Sequence, residues 1–339
     1  MKTMKAAVFE GEGRLTVKEV PIPEITRENQ ILIEVEACSI CGTDVHITAV
    51  PPGYPATPNT ILGHEFVGYV REKGAAVDQL QVGDRVVVNP NNYCGKCFYC
   101  RKNLPNQCEH VEALGIDYDG AFAKYCVVSD KVAYAIKEDV EAAEAACAEP
   151  LSCVLNGLEK VHVRPGDSAV VIGAGPIGLM IAMLLGRMGV KKLLILETAE
   201  LRAKFAERLS LGTVMNPGKE NVKEAVMAAT GVGVDVVFDV TGSQVATSVE
   251  LVRKGGTVVL FGVNKKARKE IAQCEITTKE IEVKGTWLAN ATFPKAVEVI
   301  ENREIDLSKL ITGIYPLEEI HKGLELLRRG EAVKVIIRP

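Results

Sequence analysis

The sequence predicts two domains of different class, α/β plus β: a β-rich N-terminal domain, then an α/β domain whose strands form a parallel sheet. Three observations predict it. At 339 residues the chain exceeds the ~250 to 300 at which one hydrophobic core stops growing. From Lys5 to about Val88 the apolar segments are short and cut by Pro and Gly, as strands are. Beyond Arg164-Pro165-Gly166-Asp167, apolar runs alternate with helical patterns, which indicates βαβ units and a sheet covered on both faces.

In order along the chain, Ile31 to Ala37 and Arg85 to Val88 read as strands, with Val82-Gly83-Asp84 as a turn between them. From Asn89 to His110 the hydrophobic periodicity disappears and Cys, Asn, Gly and Lys dominate, so this lobe is held by something other than a core. In the second domain Ala169 to Ile172, Leu193 to Leu196, Val234 to Val237 and Val258 to Phe261 read as strands, and Gly178 to Met188 and Leu201 to Leu209 as helices. After Trp287 come helical stretches at Pro294 to Glu301 and Leu317 to Arg329, then a strand from Val333 to Ile337.

Composition excludes several classes. With 47% hydrophobic and 25% charged residues the chain has the profile of an ordinary globular protein, not a disordered one. A net charge of −4 and the absence of a long Lys/Arg run leave no field for a polyanion, so no nucleic-acid partner is expected. The start reaches Glu10 too soon to contain a signal peptide, and the apolar stretch Val170 to Leu185 is short and broken by Gly173, Gly175, Pro176 and Gly178. No membrane contact and a cytoplasmic address are therefore expected. Ten cysteines in such a chain point to metal or thiol chemistry more than to disulfides.

Four of them, Cys94, Cys97, Cys100 and Cys108, stand as C-x2-C-x2-C-x7-C. Zinc takes four thiolates at tetrahedral corners, and C-x2-C lets two reach one ion from a single turn. The set closes the coordination sphere, so its role is structural; an iron–sulfur cluster is the alternative.

Val170 to Gly178 is a strand running into G-x-G-x-x-G and then an apolar helix. Gly173 makes the tight turn, Gly175 lets a pyrophosphate approach the backbone at a helix N-terminus, and Gly178 allows close helix packing. An acid roughly 20 residues on completes the pattern, and Glu197 follows the next strand. Its carboxylate suits an adenosine ribose and repels the extra phosphate of NADP, with no cation at Thr198 or Ala199 to compensate, so NAD is expected.

Three further segments hold chemistry-bearing residues: Cys41-Gly42-Thr43-Asp44-Val45-His46, Gly63-His64-Glu65 and Ala148-Glu149-Pro150. Cys, His and Glu can ligate zinc, and three protein ligands leave a coordination position open. Separately each segment is weak, since a His beside Gly is ordinarily a loop residue and a Thr or Asp there ordinarily a helix cap. Asp44 reads as an N-cap or a support for a ligand, not as a base. Cys38, Cys126, Cys147, Cys153 and Cys274 read as buried, although Cys38 and Cys41 also form a C-x2-C pair compatible with redox chemistry.

Together these segments resemble the zinc-containing medium-chain dehydrogenase family over essentially the whole chain, in its order and spacing. The sequence is most similar to the sorbitol, threonine and butanediol dehydrogenase branch, because Glu149-Pro150-Leu151-Ser152 stands where simple alcohol dehydrogenases place Cys. The resemblance implies a GroES-like catalytic domain over residues 1–150, with the structural zinc lobe at 89–110, a Rossmann domain of doubly wound parallel sheet over 151–287, and a return to the catalytic domain over 288–339. It implies a catalytic zinc on Cys41 and His64 with Glu65 as a third ligand, and Glu149 as either a ligand or the acceptor for the zinc-bound water. It implies a proton relay through Thr43, a cofactor ribose hydroxyl and His46. It also implies NAD contacts at Gly173, Gly175, Pro176, Ile177, Gly178, Glu197, Arg202, Thr241, Val263 and Leu288.

The activity so implied is oxidation of a secondary alcohol, a polyol or sugar-derived substrate, to the ketone with hydride transfer to NAD. The substrate would lie between the domains, and the chain would associate edge to edge through its Rossmann sheets as a homodimer or homotetramer. A threonine or sugar-acid dehydrogenase is the alternative on the same scaffold. Outside it stand a zinc-free quinone or enone reductase, which the Cys41, His64 and four-cysteine sets disfavour, and a non-catalytic zinc- and dinucleotide-binding sensor, which Thr43 and His46 disfavour.

Overall fold

Strand Gln30–Ser39, in which apolar side chains are buried along most of its length, is the hub of the N-terminal architecture. In a computed structural model that describes residues 2–339, it lies in a seven-stranded mixed sheet. One side is paired with Glu65–Lys73 and, beyond it, Arg85–Val88 and Ala133–Ala135; Tyr125–Ser129 also pairs with it. On the other side the C-terminal strand Lys334–Arg338 pairs antiparallel, Ile336 opposite Ser39 and Ile337 opposite Cys38, with Ile311–Pro316 beyond. A smaller sheet joins Arg14–Pro21, Thr3–Gly11 and Thr60–Ile61. The core between them contains Phe9, Ile31, Ile33, Phe66, Phe122 and Ile337.

Two compact units result, one comprising the chain up to Ser152 with Ala289–Pro339, the other Cys153–Leu288. The second unit holds a six-stranded parallel sheet in the order Thr213–Met215, Lys192–Leu196, Ser168–Ile172, Val234–Asp239, Val252–Leu260, Glu282–Gly285. All five residues of Ser168–Ile172 are buried, as expected of a central strand covered on both faces. Chain order reverses at this strand, and in open α/β sheets ligands bind beside the carboxyl ends of the strands at that point.

The helical stretch expected from Leu317 to Arg329 is divided: a 3-10 turn at Leu317–Glu319 precedes the α-helix Ile320–Arg328. Such tighter turns are common at helix N-termini. No described helix is long and apolar enough to cross a membrane.

Candidate active site and metal centres

Cys41 is the N-cap of the short helix Gly42–Ile47: its Sγ accepts from the Thr43 N–H at 3.4 Å, while Asp44 Oδ2 accepts from the Cys41 N–H at 2.9 Å. His64 follows Gly63, whose left-handed φ of +94° turns the chain from Thr60–Ile61 into Glu65–Lys73. These two turns bring the Cys41 Sγ, a His64 ring nitrogen and a Glu65 oxygen within 4.8 Å of one another.

Around the trio the polar groups are buried and ordered. Asp44, fully buried, holds Oδ1 3.7 Å from His64 Nδ1, and neither atom has a hydrogen-bond partner among the described residues. Glu65 Oε2 accepts from the Ser39 hydroxyl and from the Lys334 ammonium, both buried, and Lys334 reaches the Ile40 carbonyl at 3.4 Å. Burial pushes the Cys41 thiol up, and the Glu65 carboxylate adds to the shift. Burial pushes His64 down, but Asp44 and Cys41 outweigh it and leave the imidazole well above its usual value. So many acidic groups in one dry site are costly unless a cation accompanies them. A soft divalent ion fits this Cys, His and carboxylate donor set.

Glu149, buried in the first turn of Ala148–Leu158, falls outside the compact trio, although its charge acts on His64. Thr43 is half-buried and His46 exposed; three positions apart on one helix, they share a face.

The four thiols Cys94, Cys97, Cys100 and Cys108 gather into a second cluster, their sulfurs within 4.8 Å of one another and Cys97 and Cys108 3.9 Å apart. Zn–S bonds of ~2.3 Å at tetrahedral angles require about that spacing. Backbone N–H groups of Cys100 and Glu109 bring Cys97 down to about 6, whereas burial and then its bond to Cys97 push Cys100 up to about 12. The four cannot all ionise together without a cation, so this donor set also fits zinc. All ten cysteines are free thiols; of the five expected to be buried, Cys38, Cys126 and Cys147 are, whereas Cys153 is half-buried and Cys274 is exposed on a helix that buries no residue.

In the second unit Gly173 has φ +111°, and a Cβ there would stand 2.8 Å from Val240 Cγ2; a Cβ on Gly178 would overlap the Gly173 carbonyl oxygen. Gly175 caps the helix Pro176–Arg187 with open space where its side chain would be. Ile177 follows in the first turn. The buried Glu197 carboxylate is docked on this loop, accepting from Ala174 N–H at 3.0 Å and Ala199 N–H at 2.8 Å. Arg202 is half-buried in the helix Glu200–Leu209, and Val263 is exposed. Thr241 donates through N–H and Oγ1 to Asp239. Leu288 has φ +51°, and the Asn156 amide donates to the Trp287 and Leu288 carbonyls at 3.2 and 2.7 Å.

The chain matches the alcohol dehydrogenase GroES-like domain over residues 27–138 and the zinc-binding dehydrogenase domain over residues 176–302. It is 30% identical to D-arabinitol dehydrogenase 1 of Uromyces fabae, over 99% of this chain and 97% of that protein. The chain belongs to the zinc-binding dehydrogenase family. Sorbitol dehydrogenase of Bacillus subtilis is likewise 30% identical, over 100% of this chain and 98% of that one. Among solved structures, a zinc-binding dehydrogenase from Sinorhizobium meliloti 1021 bound to NADP superposes with a TM-score of 0.94 at 32% identity, covering 100% of both chains. In this zinc-binding dehydrogenase, Ser39, Lys334, Asn156 and Asp239 are the buried polar residues around the candidate sites that sequence reading passed over. Lys334 and Asn156 carry no local pattern; for Asp239 the available signal is an acid at the end of an apolar strand.

Proposed function

We propose that this zinc-binding dehydrogenase oxidises a secondary alcohol, a polyol or a sugar-derived substrate, to the ketone with NAD as hydride acceptor. The observation that carries it is the convergence of Cys41, His64 and Glu65 on one point, beside a helix that presents Thr43 and His46. When bound, zinc supplies the Lewis acidity that makes a hydroxyl proton removable near neutral pH, and NAD supplies the hydride acceptor.

The chain's residues have the following roles in this reading. Cys41, His64 and Glu65 hold the metal, with His64 presenting Nε2 because Nδ1 faces Asp44. Lys334 and Ser39 occupy one Glu65 oxygen, so this carboxylate is the ligand most readily withdrawn. Glu149 acts as a fourth ligand or as an acceptor beside the metal. Thr43 receives the proton of the substrate hydroxyl as it gives up its own hydroxyl proton to the relay, and His46, exposed, releases a proton to solvent at the relay's end. Cys94, Cys97, Cys100 and Cys108 hold the structural zinc.

Cofactor choice rests on Glu197. The Sinorhizobium protein binds NADP, so the dinucleotide class is common ground, but here a buried carboxylate stands at the glycine loop where a 2′-phosphate would be repelled. The cofactor contacts are Gly173, Gly175, Pro176, Ile177, Gly178, Glu197, Arg202, Thr241, Val263 and Leu288. The polyol substrate class is supported by the named arabinitol and sorbitol dehydrogenases. The free thiols suit a reducing, cytoplasmic compartment. The outer strand Glu282–Gly285 offers an edge for a homodimer or homotetramer.

The test is initial rates of NAD and NADP reduction by zinc-loaded protein across sorbitol, xylitol, arabinitol, butanediol, threonine, simple alcohols and sugar acids. Zinc-dependent turnover of polyols with NAD is expected. Bound zinc and bound NAD without turnover of any member would overturn the reading in favour of a sensor.

A further inference from the structure

Asp239 ends the strand Val234–Asp239, next to the glycine-loop strand and in register with Ile172. It is 1% exposed, yet its carboxylate is surrounded by donors. Oδ1 accepts from Thr241 N–H at 2.9 Å, Thr241 Oγ1–H at 2.7 Å and Gly242 N–H at 3.1 Å, and Oδ2 accepts from Gln244 N–H at 2.7 Å. The Asp239 carbonyl accepts from Phe261 and Gly262 N–H at 2.9 and 3.1 Å, the first residues beyond the next strand. One residue thus organises the loops after two adjacent strands.

Those loops interlock. Gly242 has φ +74°, and a Cβ there would stand 2.6 Å from the Gly262 carbonyl oxygen and 2.9 Å from Asn264 N. On the other flank, Gly173 lies against Val240 and Thr241. The carboxylate holds Thr241, Gly242 and Gln244, the main-chain carbonyl of the same residue holds Phe261 and Gly262, and Gly242 packs against the Gly262–Asn264 backbone.

A dinucleotide lies across such a sheet with one half over each set of strands. Glu197, after Lys192–Leu196, marks the adenosine side; Asp239 begins the other side. We propose that Asp239 is a positioning residue for the nicotinamide half of the dinucleotide, holding Thr241, Gly242 and the Gly262–Asn264 segment in the conformation that receives it. This inference rests on the reading that the chain binds a dinucleotide. Asp239 touches neither substrate nor cofactor; it acts through the loops. Four donors converge on its carboxylate, so its removal frees part-buried N–H groups that turn elsewhere and distort the receiving surface.

The experiment titrates zinc-loaded wild type, Asp239→Asn and Asp239→Ser with NADH by fluorescence and with ADP by calorimetry, alongside thermal unfolding. ADP probes the adenosine side alone. Asp239→Asn keeps the shape but sets an NH2 group against N–H donors, and the expected result is NADH binding weakened about ten-fold with ADP affinity within about two-fold of wild type. Asp239→Ser keeps one acceptor oxygen for these donors and is expected to weaken NADH less, in the same selective sense; it decides the question if Asp239→Asn does not fold. Unchanged NADH affinity, or equal loss of NADH and ADP, would overturn the positioning role. Failure of the wild type to bind NADH would instead overturn the dinucleotide reading.

Discussion

The Lys334 ammonium is bonded to the Glu65 carboxylate, and their side chains are 2% and 1% exposed. The pair joins the last strand of the chain to the residue that follows His64.

Breaking that pair from one side leaves a buried charge alone. Lys334→Met is expected to destabilise the protein by ~3 to 5 kcal/mol, whereas Lys334→Met combined with Glu65→Gln recovers most of the loss. Urea unfolding of the two single variants, the double variant and wild type closes the cycle. Additive losses would show that the pair contributes nothing as a pair.

Asp44 Oδ1 lies 3.7 Å from His64 Nδ1, and on the proposed reading it supports the imidazole as a ligand. Asp44→Asn retains the oxygen that caps Cys41 and removes the negative charge. Zinc affinity or turnover is expected to fall ~10- to 100-fold, as when such supporting carboxylates are lost elsewhere. Zinc competition with a chromophoric chelator measures the first quantity, and an unaltered affinity with unaltered rates would refute the role.

The four-cysteine lobe is expected to fold on a bound zinc. Cys97→Ser is expected to reduce bound zinc from two ions per chain to one, measured by atomic emission after dialysis, and to lower the thermal midpoint. Two ions retained would place the second zinc elsewhere.

The proposed cofactor preference rests on Glu197. Wild type is expected to prefer NAD, and Glu197→Gln to narrow the NAD-to-NADP ratio of kcat/KM by about ten-fold, because the repulsion of a 2′-phosphate is removed. Since Glu197 also accepts from Ala174 N–H, some loss of NAD affinity accompanies the change. A ratio that does not move would assign the preference to another residue.

What the sequence determined by itself was whatever is written in local spacing. The thiol spacing from Cys94 to Cys108 brings four sulfurs within 4.8 Å of one another because short turns return the chain to the same place. Gly173, Gly175 and Gly178 specify a turn that side chains would obstruct, and the apolar runs at Ser168–Ile172 and Lys192–Leu196 specify buried parallel strands. The strand Glu282–Gly285 and the helix Gln273–Lys279 escaped, since an edge strand and an exposed helix bury too little to impose a period. Only tertiary structure placed Glu149 outside the compact group that Cys41, His64 and Glu65 form. The same holds for Lys334 on Glu65, Asp44 on His64 and Asn156 beneath Leu288. The physical reason is that Glu65 and Lys334 stand 269 positions apart, and their meeting depends on the C-terminal strand pairing with Gln30–Ser39. Spacing governs contacts within a turn, whereas the pairing of distant strands is selected by burial of the whole core.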